Sequence, residues 1–412
     1  MGFVKSYSGG SSMERRGYYQ SFGGQYVPEV LMNALGEMEN EHLFVAKDQC
    51  FTKELDFFND RYSGRMTPLY LCRLLSKKYG QPDIYIKRED LAPGGAGCAS
   101  AIAGQIIIGK RIGKRCVLAA PYDLDQALLV SSLSAAMGLA NLILVPRETC
   151  LHGTRAKLDR MRLQGSRIRI IEGGWQKTQE AAADIWAEGQ EEMVFVRFRA
   201  DGPHPYPLMI REYQKIIGQE IRIQLQEAGG KYPRMITASA EEDACAIGAF
   251  YPWLADGDET VGNSEETHHP EPHYPGIHHP VPDLLLAESV SRPLYTKGTE
   301  GIGDGMRSLF LLDEQDMPQG PGAEPELASY IKEGRLKALP ITEEDALDAA
   351  LEFARTEGIL PSRASSYAAA ALLSKVMEYG FDDNVVVVFS GKAEKAWIDA
   401  CLRREAEHES DS

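Results

Sequence analysis

An α/β fold with mostly parallel sheets is what this sequence predicts, and three observations predict it. Short apolar runs rich in Val, Ile and Leu alternate with longer runs of helical period along most of the chain. Those apolar runs carry few polar alternates, the mark of strands covered on both faces, as strands of parallel sheets are. The chain has 412 residues, 43% of them hydrophobic, enough for two domains of ordinary size with substantial cores.

Taken in order, a polar, flexible leader over residues 1–22 precedes "GGQYVPEVLMNALGEMENE", a turn followed by an amphipathic helix. "DIYIKRE" reads as a strand and "SAIAGQIIIGKRIGK" as a helix. "RCVLAAP" is a strand and "LDQALLVSSLSAAMG" a helix. "NLILVPRE" is a strand, "TRAKLDRMRLQG" a helix and "RIRIIEG" a strand. Further on, "RMITASA", "DLLLAES" and "NVVVVFSG" read as strands. "ITEEDALDAALEFARTEG" is a helix with acids in its first turn and a Gly stop. One segment breaks the rhythm. Residues 256–282, "DGDETVGNSEETHHPEPHYPGIHHPVP", are polar and Pro-rich and hold five of the nine histidines. They read as an exposed loop inserted between two strands, not as a metal site, because neither an H-E-x-x-H helix nor a Cys pair accompanies them. The expected division is 1–22 leader, 23–213 N-terminal α/β domain and 214–412 C-terminal α/β domain carrying the His-rich loop.

Charge and cysteines narrow the function classes. A net charge of −16 argues against nucleic acid or an anionic membrane as partner. No apolar run approaches the roughly 20 residues of a spanning helix. The first residues, "MGFVKSYSGGSSMERRGYYQ", hold no apolar signal core. Cys50, Cys72, Cys98, Cys116, Cys150, Cys245 and Cys401 are odd in number and scattered, without a C-x-x-C pair. Reduced thiols in a cytoplasmic protein are therefore expected, not a disulfide frame or a zinc centre.

The segments "GGQYVPE", "YSGRMTPLYLCRLLS", "IYIKREDL", "GPHPYPLMIREYQKIIGQEI", "AIGAFYPW", "TEGILPSRASSYA" and "VVVVFSGKAEK" stand in one order from Gly23 to Trp397. Together they resemble the β subunit of tryptophan synthase, a fold-type II pyridoxal-phosphate enzyme. The resemblance implies two α/β domains with the cofactor in the cleft between them and a mobile communication region in the N-terminal one. It also implies a homodimer and, usually, an α subunit that supplies indole through a tunnel.

The loops that would line the cleft depart from the family's pattern. Where the family reads H-T-G-A-H-K-I-N, this chain reads P-G-G-A-G-C-A-S. The lysine position is Cys98, its histidine neighbour Gly97 and the asparagine Ser100. Pyridoxal-phosphate chemistry needs an amine that forms an imine, and a thiol cannot make one. Lys87 is no substitute, since the family has its own lysine in "KRED". The family's phosphate cup, G-G-G-S-N, is here Glu241, Glu242, Asp243, Ala244 and Cys245. One carboxylate about 4 Å from a phosphate charge costs roughly 4 kcal/mol at an effective dielectric of 20. The carboxylate-binding segment E-T-G-A-G-Q-H-G becomes Ala120 to Ala127, with Asp123, Asp125 and Gln126 in it. The closing segment D-Y-P-G-V-G-P has no counterpart in "DMPQGPGAEPELASY". Glu357 and Ser390 survive, at positions that flank the cofactor ring in the family.

The substituted loops have drifted from anion-binding to acidic, and two readings of that drift stay open. Acids in a first helical turn suit the helix dipole by about 0.3–1 kcal/mol each. Acids in a partly dry cleft rise in pKa and can exchange protons near neutral pH. The second reading makes Asp123, Asp125, Glu241, Glu242 and the retained Glu357 candidate catalytic groups. Cys98, Ser100, Gln126, Asp243, Cys245 and Ser390 would then line a substrate pocket. Cys98 reads as a small buried filler, or as a nucleophile if the helix start lowers its pKa. The expected protein uses no pyridoxal phosphate and no other cofactor or metal. Its cleft takes a small molecule, indole-like or cationic, for cyclisation, condensation or isomerisation. The alternative is a non-catalytic homologue that binds a partner such as an α-like subunit.

Overall fold

The computed structural model describes residues 17–80, 82–95, 97–150, 154–229, 231–256 and 281–411. Most of the leader and nearly all of the His-rich loop lie outside the described residues. Six strands form the larger sheet, in spatial order Lys337–Ile341, Asp283–Ser289, Pro233–Ser239, Asn384–Phe389, Asp83–Arg88 and Leu69–Leu71. All neighbours run parallel except Leu69–Leu71, which is antiparallel to Asp83–Arg88. A second sheet is wholly parallel, in order Arg167–Ile171, Ala140–Pro146, Cys116–Ala119 and Met193–Val196. The α/β class expected from the apolar runs is the class observed. Asn384–Phe389 is buried at every position, which is why it reads as an unbroken "NVVVVF" and not as an alternation.

Sequence periodicity passed over a third sheet. Tyr18–Tyr19, Phe22–Gly23, Met306–Phe310 and Thr299–Gly303 make a small antiparallel sheet that ties the end of the expected leader into the fold. Strands of two residues carry no readable period.

The helix Ala99–Arg111 is buried on all sides from Ala99 to Gly109. Its small residues admit close neighbours: a Cβ on Gly104 would lie 2.3 Å from the Tyr213 ring. Behind the loop that opens this helix sits a buried ionic network. Arg65 donates to both oxygens of Glu89 at 3.0 and 2.9 Å and to Glu220 at 2.8 Å. The Lys87 amine is committed to Glu220, Gln224 and the Thr67 carbonyl. Two cations and two carboxylates balance there, so loss of one partner would strand a buried charge at a cost of about 3–5 kcal/mol. Among the described residues no helix is long and apolar enough to cross a membrane.

Parallel sheets gather their functional loops at the carboxyl ends of the strands. Glu89–Cys98, Ala240–Asp243 and Ser390–Lys392 follow strands of the larger sheet. Ala120–Asp123 and Arg197–Asp201 follow strands of the smaller one. Hydrogen bonds between Arg199 and the Glu241 carbonyl, and between Gly97 and the Ser390 carbonyl, bring these loops together.

Candidate functional site

The first loop is fixed by its backbone. Gly97 donates to the Ser390 carbonyl at 3.0 Å, and its own carbonyl accepts from Gln214 Nε2 at 2.8 Å. A Cβ on Gly97 would stand 2.5 Å from Cys245 Sγ and 2.9 Å from the Ser390 oxygen, so only glycine fits. Cys98 caps the helix Ala99–Arg111 from a buried position. Burial pushes its thiol well above the usual range, with Glu242 and Asp123 adding to the push. A thiol in that state is protonated and does not act as a nucleophile. Cys245, beside it, is raised for the same reasons, burial first and Glu242 next. Ser100 turns away, donating to Asn59 Oδ1 at 2.9 Å.

In the second loop the three acids part company. Ala240–Glu242 form a tight turn before the helix Asp243–Asp256. Glu241 pairs with Arg363 at 3.0 Å. Asp243 is buried against Arg199 and accepts from the Ala200 N–H at 2.9 Å. Burial lifts its pKa to about 6 against the pull of Arg199. Arg199 also holds Asp201 at 2.8 Å, and Arg197 holds Asp201 from the other side at 2.8 Å. Glu242 is half-buried, and its carboxylate has neither hydrogen bond nor ion pair among the described residues. Its pKa rises to about 8, through burial first and then through Asp123 and Asp243.

The third loop starts the helix Leu124–Ala136. Asp123 Oδ1 accepts from the N–H groups of Asp125 and Gln126, both at 2.8 Å, as an N-cap should. Burial outweighs those bonds and lifts Asp123 to about 6, with Glu394 and Asp125 contributing. Asp125 pairs with Lys157 at 2.7 Å. Gln126 Oε1 accepts from the Tyr122 N–H at 3.0 Å. Tyr122 stacks on Trp175 at 4.8 Å between ring centroids, with the Arg199 guanidinium 5.9 Å from its ring. Carboxylate oxygens of Asp123, Asp125 and Glu394 lie within 4.8 Å of one another.

Ser390 is buried beside the first loop, its carbonyl accepting from Gly97 and its N–H donating to Ser365 Oγ at 3.0 Å. Glu357 is placed elsewhere: its two oxygens accept from the Leu75 N–H at 2.7 Å and the Tyr70 hydroxyl at 2.9 Å. The uniformly acidic pocket expected from sequence is therefore not what forms. Glu241, Asp243 and Asp125 are each matched by a cation, and Asp123 and Glu242 have no cation partner among the described residues. Sequence reasoning missed the balancing cations Arg199, Arg363 and Lys157, and also Glu394. Only Arg199 had a local signal, in "RFRAD", where base and acid alternate past a strand end.

Residues 61–260 match the family described as pyridoxal-phosphate dependent enzyme. Tryptophan synthase beta chain 1 of Methanosarcina acetivorans is 32% identical over 399 residues, spanning 93% of this chain and 96% of that one. This chain belongs to the tryptophan synthase β chain family. Membership overturns the expectation of a protein without a cofactor, since pyridoxal phosphate is what the matched family is described by. The side chains at the positions carried over from the family do not fit that group as the family holds it. A protonated, buried thiol stands at the lysine position, and three carboxylates stand at the phosphate cup. The aliphatic part of the Lys392 side chain, from the loop after Asn384–Phe389, packs over Gly95 of the first loop, whose Cβ would meet Lys392 Cδ at 2.7 Å.

Proposed function

We propose that this family member carries out acid–base chemistry on a small, indole-like or cationic molecule at the strand ends, with Glu242 as proton donor and Asp123 as its basic partner. The observation that carries this reading is the split between two neighbouring carboxyls. Glu242 sits at about 8 and Asp123 at about 6, so near pH 7 one is mostly protonated and the other mostly ionised. Environments that push two titrating groups apart are how one site holds an acid and a base together. The reaction classes suited to that pair are cyclisation, condensation and isomerisation. Asp125, Glu241 and Asp243 then serve to set the field, each tied to its cation, while Gln126, Ser390, Cys98 and Cys245 shape the walls.

A second reading is favoured by one feature. The space lined by Ala120, Tyr122, Gln179, Arg197, Arg199 and Asp201 is only about 10 Å³, room for at most one water. So little free space between the loops that follow Cys116–Ala119 and Met193–Val196 suits a non-catalytic homologue that binds a partner, an α-like subunit or a second copy of the chain. Infrared titration separates the two. Under the acid–base reading, wild type shows a protonated carboxyl band at pH 7 that vanishes in Glu242→Gln. A spectrum identical in wild type and variant rejects it.

A further inference from the structure

We infer a separate binding site for a small aromatic carboxylate, in a cavity of about 250 Å³ lined by Tyr62, Pro93, Leu128, Leu129, Ser132 and Arg160. Its volume lies above the roughly 150 Å³ that accepts benzene in a protein core and below the range typical of drug-sized ligands. One or two fused rings match it. Pro93, Leu128 and Leu129 give the walls their apolar surface, and the Tyr62 ring adds a flat one.

Three of the lining residues are polar. Tyr62 donates its hydroxyl hydrogen to the Ser132 carbonyl at 3.2 Å, which leaves the phenol oxygen free to accept. Ser132 Oγ accepts from Gln164 Nε2 at 2.9 Å, so its own hydrogen is free to donate. Arg160 supplies the charge. On the helix Arg155–Leu163 every other cation is matched: Arg155 and Arg162 by Asp159, and Lys157 by Asp125. Arg160 is exposed and has no ion pair or side-chain hydrogen bond among the described residues. An uncompensated guanidinium beside an apolar cavity selects for an anion with an apolar body.

The cavity also touches the first loop and the helix that Asp123 caps. Pro93 opens the turn Pro93–Gly95 that leads to Gly97 and Cys98. Leu128 and Leu129 lie on the helix that Asp123 caps, and Lys157 on the Arg160 helix holds Asp125. This inference does not rest on the acid–base reading and survives its failure.

The test uses the full chain with indole-3-acetate and its neutral counterpart indole-3-acetamide, followed by calorimetry and by methyl NMR of labelled leucines. Indole-3-acetate should bind saturably, at least about tenfold tighter than the amide, and shift the Leu128 and Leu129 methyls. Arg160→Met, a change at an exposed position, should erase the preference for the acid while leaving the fold intact. Leu129→Trp should fill the cavity and remove binding of both rings. If that variant does not fold, Ser132→Phe tests the same blockage from the rim. Absence of saturable binding, equal affinity for acid and amide, or indifference to Arg160→Met each overturns the proposal. So does binding that is lost in Glu242→Gln and kept in Arg160→Met, because the ligand would then occupy the other site.

Discussion

Replacing Glu242 by glutamine should make the protein more stable, and more so as the pH rises. The amide keeps the size and polarity of the side chain but removes its ionisation. In the folded protein the carboxyl titrates at about 8, against an ordinary value of 4.5. A carboxyl whose folded-state pKa is raised contributes stability that is fully present below the unfolded value and is lost as the pH rises through the folded one. Between pH 4.5 and 8 wild type should therefore lose stability relative to Glu242→Gln by about 1.4 kcal/mol per pH unit. The gap should vanish near pH 4 and level off above pH 8. Over the whole interval it amounts to at most on the order of 4 kcal/mol, since Asp123 and Asp243 share the push and relax with it. The assay is urea denaturation of both proteins from pH 4 to pH 9, with the difference plotted against pH. A difference that is flat across the range, or a variant weaker than wild type at pH 8, would rule out a raised Glu242 carboxyl. Glu242 would then be an ordinary ionised carboxylate with a partner, and the acid–base pair would be gone.

Four further outcomes follow from the geometry. Asp123→Asn should match wild type near pH 4, because asparagine caps a helix nearly as well, and should gain on it by at most about 3 kcal/mol as the pH rises to 6, since the Asp123 carboxyl is also raised in the folded protein. It should also lower the Glu242 midpoint seen by infrared, since the Asp123 charge helps raise it. Arg199→Met should cost about 3–5 kcal/mol in urea denaturation, because Asp201 and Asp243 would stay buried with less compensation. Gly97→Ala should cost about 1–3 kcal/mol, and adding Cys245→Ala should recover only part of it, since the Ser390 carbonyl still crowds the new methyl. Glu357→Gln should lose about 1–2 kcal/mol through its bonds to Leu75 and Tyr70 while leaving the Glu242 titration unmoved.

Much of the frame was legible because the physics that builds it is local. Buried strands such as Asn384–Phe389 declare themselves by an unbroken apolar run, and the helix Glu343–Glu357 by its acidic start and glycine stop. The third sheet was not legible, since its strands near residue 20 are too short to show a period and pair with a partner almost 300 residues away. The site splits the same way. That Glu241, Glu242 and Asp243 enter one helix start follows from the chain itself. Which of them is neutralised depends on Arg363, at the start of the helix Arg363–Lys375, and on Arg199, past the strand Met193–Val196, side chains that leave no mark beside the acids. Three adjacent acids thus meet three fates, paired at the surface, unpartnered in the cleft, and locked beneath Arg199. Dipole capping and proton chemistry are for that reason not rivals here. Asp123 takes a helix-capping role and still rises to about 6, because burial outweighs the two N–H groups it accepts from. A carboxyl held in place by backbone and pushed toward neutrality by its surroundings meets both requirements of a base, fixed position and a pKa near the working pH.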